Sequence, residues 1–294
     1  MNTSRSARRE RTAAALLLAP ALVGFVLFYA WPTLLAAGLS FTDWNLLSPP
    51  RWVGGANYAE LMQDGRFWNG MKLSAVYALL NIPLQTVLGL GLAVAMHRLT
   101  QSLWVKSVVL MPYLMSNVLV ALVWLWLLDP ALGWMNHALE VLGASRQGFF
   151  GDADQALLTV AVVNTWRHMG LVALLFLAGM QNIPRSLYEA AAVEGASEWA
   201  MFRHITWPLL RPVWVFVCIT SVTGSFQVFD TIAVTTNGGP LDATRVVVHV
   251  IVQNAFSFYR MGYASAMSMV LALVMVLYTV AQMRWSRAGD SDLG

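Results

Sequence analysis

Six polar side chains stand inside otherwise apolar runs, Asn81, Gln85, Asn117, Asn164, Gln227 and Asp230, and Arg167 and His168 join them. Such groups are costly in hydrocarbon and face a cavity or a partner helix. Planar amides and carboxylates hydrogen-bond hydroxyl groups, and an aromatic ring can cover the apolar face of a sugar. Asn164 with Trp166 therefore carries the residue types that hold a polyhydroxylated solute. The same asparagine could equally bond a neighbouring helix, a contribution of about 0.6 kcal/mol on average. Asp230 and Arg167 can also neutralise each other across two spans. That pairing is expected ahead of a proton relay, which needs a run of Glu and His along one path.

Other chemistries lack their residues. His97, His137, His204 and His249 are dispersed and make no metal-ligand spacing, so no metal site is expected. The lysines, Lys72 and Lys106, do not follow a glycine, so no loop of the phosphate-cradling type is present. Cys218 is the one cysteine, which rules out a disulfide framework within the chain. An intramembrane enzyme would need an activated nucleophile or paired acids at one depth, and no catalytic residue is expected. The net charge of +3 comes from basic residues at the ends of apolar segments rather than from a stripe that tracks phosphates, so no nucleic acid partner is implied.

The elements that must position these groups are membrane helices. Hydrophobic residues make up 58% of the 294 and charged residues 11%, where a soluble domain is about one quarter charged. Mean hydropathy is +0.59. Apolar runs predict spans near 13 to 36, 70 to 96, 105 to 128, 156 to 180, 212 to 235 and 262 to 283. The expected fold is therefore all-α, with about six transmembrane helices. It comprises an amino-terminal tail 1–12, a membrane domain 13–284 and a carboxy-terminal tail 285–294. Arg5, Arg8, Arg9 and Arg11 before the first run give it the look of a secretory signal, but the run exceeds the usual signal core and more spans follow, so a retained first helix is expected. Those arginines fall on the same side as His97, Arg98, Lys106, Arg185, Arg203, Arg211, Arg284 and Arg287, which places both termini in the cytoplasm. Trp44, Trp52, Trp68 and Trp134 in the opposite loops suit the headgroup layer. No internal repeat of the secondary-transporter kind is visible.

Between the fourth and fifth spans lies the polar segment Gln181–Arg211. Pro184 opens it, and Ser186 with Glu189 has the spacing of a capping box, so a short surface helix is expected there. Ala190, Ala191 and Ala192 leave room for another backbone, Gly195 permits a turn, and Trp199, Met201 and Phe202 offer an apolar knob ahead of Pro208 and Pro212. On these grounds the segment is either a docking plug for a soluble partner or a helix resting on the membrane.

Glu189, Ala190 and Ala191, then Gly195 after three residues, Ile205 after nine more, and Pro208 together resemble the EAA loop of ABC importer permeases. Trp207 departs from that pattern, where leucine is usual. The likeness runs through the chain: the opening ALLLAPALVGFVLFYAWP followed by LSFTDW, TNGGP at Thr236–Pro240 and MGYASA at Met261–Ala266 are similar to the carbohydrate branch, with maltose and glycerol-phosphate permeases as relatives. The resemblance implies a type I importer permease fold in a bacterial-type inner or plasma membrane, with Gln181–Arg211 as the helix that couples to an ATPase. It also implies a second permease half, usually an unlike chain, two ATP-binding-cassette subunits that use ATP and magnesium, and an extracytoplasmic solute-binding protein. No cofactor is expected on this chain itself. In maltose-type relatives the Asn-x-Trp stretch and the span before TNGGP line the solute site. Asn164 and Trp166 match that stretch, while Arg167, His168, Ser221, Ser225, Gln227 and Asp230 are neighbours by position. The competing expectation is a single-chain sugar carrier driven by an ion gradient.

Overall fold

The computed structural model describes residues 15–100 and 102–287, with side chains to 285. The amino-terminal arginines and the tail 1–12 lie outside the described residues, as does the chain beyond 287 and the side chain of Arg287. In chain order the helices are α1 (Ala15–Leu39), α2 (Ala56–Gln63), α3 (Gly65–Leu99), α4 (Leu103–Leu114), α5 (Asn117–Leu127), α6 (Trp134–Val141), α7 (Ala156–Gln181), α8 (Arg185–Val193), α9 (Glu198–Met201), α10 (Arg211–Phe226), α11 (Asp230–Thr235), α12 (Val247–Ser257) and α13 (Met261–Arg287). Strands β1 (Thr42–Asp43) and β2 (Arg51–Trp52) pair antiparallel, with Thr42 opposite Trp52. Among the described residues five helical stretches are long and apolar enough to cross a bilayer, and α4 with α5 makes a sixth when counted together. This is the all-α, six-span architecture that the apolar runs imply.

The third span departs from expectation. The run 105–128 predicts one straight helix, whereas α4 and α5 meet at 91°. Pro112 in the last turn of α4 carries no N–H. Met115 and Ser116 then take extended backbone with ψ near 150° and 146°. Ser116 Oγ accepts the Leu119 N–H at 3.2 Å and starts α5 afresh. A hydroxyl cap thus replaces the hydrogen bonds that a continuous helix would have supplied.

The chain divides into two units, residues 1–64 with 251–274 and residues 65–250 with 275–294. In the first, Asn57 Nδ2 donates to the Ser40 and Thr42 carbonyls at 2.8 and 2.9 Å, tying α2 to the β1 edge. Arg260 donates to Glu60 at 2.6 Å while lying over the Tyr263 ring, and Tyr263 donates to Asp64 at 2.7 Å. The Glu60 carboxylate holds the Arg260 guanidinium above its ordinary pKa.

In the second unit α3 packs along α7 as the most extensive helix pair. Helices in lipid gain little from hydrophobicity and associate through close packing and interhelical hydrogen bonds. Gly89 supplies the closeness: a Cβ there would lie 2.6 Å from Val172 Cγ1, and Ala93, one turn on, is fully buried. Asn81 Nδ2 supplies the bonds, donating to the Ala161 carbonyl at 3.1 Å and Thr165 Oγ1 at 3.0 Å. Apolar side chains gather into two clusters, one around Tyr77, Val120, Val160 and Ile232, the other around Ala93, Phe176, Leu177 and Val217.

Candidate functional site

Within the second unit a cavity of about 380 Å³ opens among α3, α7 and α10. Helical spacing builds its walls. Tyr77, Asn81 and Gln85 recur every four residues along one face of α3; Asn164 and His168 do so on α7, and Ser221 and Ser225 on α10. Gln227 and Asp230 close the lining where α10 gives way to α11, with Tyr113, Asn117, Thr220 and Thr231 beside them. Of the residues singled out from sequence, the structure brings Asn164, His168, Ser221, Ser225, Gln227 and Asp230 onto this surface. The polar lining is mostly amide and hydroxyl, with one carboxylate and one imidazole, which is a surface that exchanges hydrogen bonds with a hydroxyl-bearing guest.

Several of these groups already hold one another. Asn164 Nδ2 donates to the Tyr77 hydroxyl at 2.8 Å, and its Oδ1 accepts the Thr231 hydroxyl at 2.8 Å. Asn117 Nδ2 donates to Asp230 Oδ2 at 2.7 Å, joining α5 to α11. Arg167 Nη1 donates to His168 Nε2 at 3.1 Å, so His168 Nδ1 donates to the Asn164 carbonyl at 2.8 Å.

Trp166 and Arg167 lie off the cavity. Trp166 packs edge to face on Trp124 at 5.5 Å, against the cluster around Tyr77 and Val160. The Arg167–Asp230 ion pair expected from sequence is not formed. Arg167 donates instead to the Tyr113 carbonyl at 3.1 Å and the Met115 carbonyl at 2.9 Å, and Asp230 is held by Asn117. The reason is the break between α4 and α5. Carbonyls at a helix end need donors, and a five-donor guanidinium on the adjoining helix satisfies two of them.

The Gln181–Arg211 segment forms two short helices around a glycine turn. Pro184, not Ser186, is the N-cap of α8, and no side chain caps that end. With helical geometry starting at Arg185, Ser186 is already inside the first turn and its hydroxyl cannot serve as the cap. The capping hydroxyl belongs to Ser197, which accepts the Ala200 N–H at 3.3 Å at the start of α9. Glu189, Ala190 and Ala191 sit on α8. Gly195 has φ of +79°, a left-handed conformation that favours glycine. Its N–H reaches the Ala192 carbonyl at 3.0 Å, and Ala196 N–H reaches Ala191 at 2.9 Å, which is the Schellman closure of a helix end. The interval from the alanine pair to the glycine is thus set by the length of α8.

After the turn, Trp199 stacks on Phe202 at 5.6 Å and remains exposed. Ile205 lies half-buried in a π-turn, Phe202–Thr206, and Pro208 stands in the single turn Trp207–Leu209. Tyr188 and Thr206 hydroxyls bond at 2.8 Å across the two arms, and Arg98 at the end of α3 pairs with Glu198. Glu189, Tyr188, Arg98 and Phe202 face a second cavity of about 370 Å³ under the loop. Among the described residues no group of three or more His, Cys, Asp or Glu side chains could hold a metal ion.

Tyr77, Tyr113, Thr220 and Thr231 line the first cavity without having been singled out from sequence. Tyr77 had a signal, since it begins the four-residue stripe that continues through Asn81 and Gln85.

Comparison with known proteins places this architecture. Residues 85–287 match the family described as binding-protein-dependent transport system inner membrane component. The probable ABC transporter permease protein YurN of Bacillus subtilis is 31% identical over 94% of this chain and 97% of its own. The sulfoquinovosyl glycerol transport system permease protein SmoG of Agrobacterium fabrum is 32% identical, covering 96% and 92%. A crystal structure of a bacterial ABC transporter involved in the import of the acidic polysaccharide alginate shares the fold, with a TM-score of 0.83 at 23% identity over 98% of this chain and 99% of that one. The chain belongs to the binding-protein-dependent transport system inner membrane component family, and it is a permease subunit of the ABC transporter type.

Proposed function

We propose that this chain forms one half of the translocation pathway of an ATP-driven importer for a sugar or sugar-like solute. The observation that carries this reading is the cavity of about 380 Å³ whose polar lining is chiefly amide and hydroxyl. Relatives named for sulfoquinovosyl glycerol and sn-glycerol-3-phosphate transport support a hydroxyl-rich guest. Asn164, His168, Ser221, Ser225, Gln227 and Asp230 contact the solute or hold its neighbours in place; Trp166 and Arg167 support the walls from behind.

In this reading Glu189, Ala190, Ala191, Gly195, Ile205 and Pro208 form the loop that docks on an ATPase subunit. A coupling element must be stiff, because it transmits a difference in binding energy between two states. The Schellman turn at Gly195 and the Tyr188–Thr206 bond supply that stiffness. The loop face and both termini are cytoplasmic, where Arg98, Lys106, Arg185, Arg203, Arg211 and Arg284 concentrate. The partners are a second, unlike permease half, two ATPase subunits that bind ATP and magnesium, and an extracytoplasmic solute-binding protein.

The test is co-purification with native partners followed by solute-dependent ATPase and uptake assays. Gly195→Asn keeps a residue tolerant of positive φ and retains uptake. Gly195→Asp leaves assembly intact but separates ATP hydrolysis from uptake, because it adds a charge at the docking turn. A single-chain preparation that accumulates sugar on an ion gradient without ATP overturns the proposal in favour of a secondary carrier.

A further inference from the structure

Trp207 stands where the resembling loop pattern has leucine, and it forms a wall of a separate cavity of about 260 Å³ within the second unit. Trp214 of α10 and Trp285 of α13 form other walls, buried Phe176 and Leu210 make the floor, and exposed Arg211 stands among the lining residues at the first position of α10. Three of the four contributing helices have an end near this cavity: Arg211 begins one apolar span, Trp285 ends another, and Phe176 lies in the last two turns of α7, while Leu90 lines it from within α3. Indole rings at span ends lie at headgroup depth. Leu209 and Phe216, which share a chain segment with the lining residues Trp207 and Trp214, are exposed at 46% and 54%, the kind of apolar surface that hydrocarbon covers.

We propose that this cavity seats an acidic phospholipid, one acyl chain lying between Trp207 and Trp214 and the phosphate against Arg211. An apolar trough with a guanidinium where headgroups begin matches an amphiphile that is anionic at one end, and a guanidinium pairs with phosphate through two parallel hydrogen bonds. The bilayer brings that occupant to the site in every copy of the protein. Leucine at position 207 would leave the trough wider and without the broad ring face, so the departure from the loop pattern has a role on the lipid side of the segment. The inference is independent of the solute; Pro208 lines the trough and also belongs to the docking loop, so lipid and loop meet at that residue.

The test uses the whole transporter complex, exchanged into an equimolar mixture of phosphatidylglycerol and phosphatidylcholine and read by native mass spectrometry. The wild type retains phosphatidylglycerol over phosphatidylcholine by roughly tenfold, the value of one charge-assisted hydrogen-bonded pair. Arg211→Gln abolishes the preference while lipid is still retained, and Trp207→Leu lowers retention of both lipids. Should Arg211→Gln fail to assemble, raising salt on the wild-type complex gives the same reading, because it weakens the phosphatidylglycerol preference and leaves phosphatidylcholine unchanged. Equal retention of the two lipids by the wild type overturns the proposal. So does a photoreactive side chain at position 207 that cross-links to a protein subunit, which would make the trough a subunit interface.

Discussion

The Asn164 amide is committed at both ends, and that commitment has a measurable size. Its Nδ2 donates to Tyr77 and its Oδ1 accepts from Thr231, each at 2.8 Å. The three residues are 3%, 2% and 3% exposed. Interhelical hydrogen bonds in membrane proteins contribute about 0.6 kcal/mol on average and at most about 1.7 kcal/mol. Asn164→Leu removes two such bonds and is expected to destabilise by about 1 to 3 kcal/mol. Tyr77→Phe removes one, about 0.6 to 1.7 kcal/mol. The bond they share disappears in either variant, so the double variant is less damaged than the sum by about the value of one bond. The assay is reversible unfolding of the reconstituted chain in mixed micelles of rising SDS content, run on the four proteins of the cycle. A coupling energy under about 0.3 kcal/mol is additivity; it would mean that Asn164 and Tyr77 do not hold α7 to α3 and that the asparagine is available to solute. In uptake assays, a positioning role lowers the amount of working transporter without changing the apparent KM for solute.

Trp166→Ala is expected to lower stability, losing an edge-to-face pair with Trp124 that contributes about 0.5 to 1.5 kcal/mol beyond its burial, while the apparent KM in uptake assays stays unchanged. Arg167→Met leaves the Tyr113 and Met115 carbonyls without their donor, about 1 to 3 kcal/mol for each group; thiol labelling of Ser116→Cys should accelerate in that background, and unchanged labelling would show that the break stands without the arginine. The Glu140 carboxylate is held below its ordinary pKa by the hydrogen bond from Arg146 at 2.5 Å. A lowered folded-state pKa gives a contribution present above the unfolded value and lost as pH falls through the folded one. Amide exchange, corrected for its intrinsic pH dependence, should therefore lose protection around residues 140–147 as pH falls below the usual glutamate range, and Glu140→Gln should remove that dependence.

Span number and fold class were legible because a long apolar run has few ways to satisfy its backbone in lipid other than as a helix. The ends of spans were less legible. Composition placed the second span at 70 to 96, yet α3 runs from Gly65 to Leu99, since polar residues such as Arg66, Asn69 and His97 continue a helix without adding to its apolar signal. The break at Met115–Ser116 was written in Pro112 and in the serine preceding Asn117, but hydropathy averaged across a span erases single residues. The loop shows the same competition locally. Ser186 and Glu189 have capping-box spacing, but Pro184 fixes where α8 begins and puts the serine two residues too late to cap.

The cavity lining was legible wherever helical period was allowed to decide. Asn164 and His168 are four residues apart, share a face of α7 and meet in the cavity, as do Ser221 and Ser225 on α10. Asn164 and Trp166 are two residues apart, about 200° around a helix, so they cannot both face one guest on a straight segment. The resemblance implies both as solute contacts, but the structure packs Trp166 against the core beside Trp124. Arg167 shows a different failure. The sequence contains its charge and that of Asp230, but the demand that decides its partner comes from backbone carbonyls exposed by a bend in another helix. Such a demand has no residue type of its own, and it enters a sequence only through the proline and serine that make the bend.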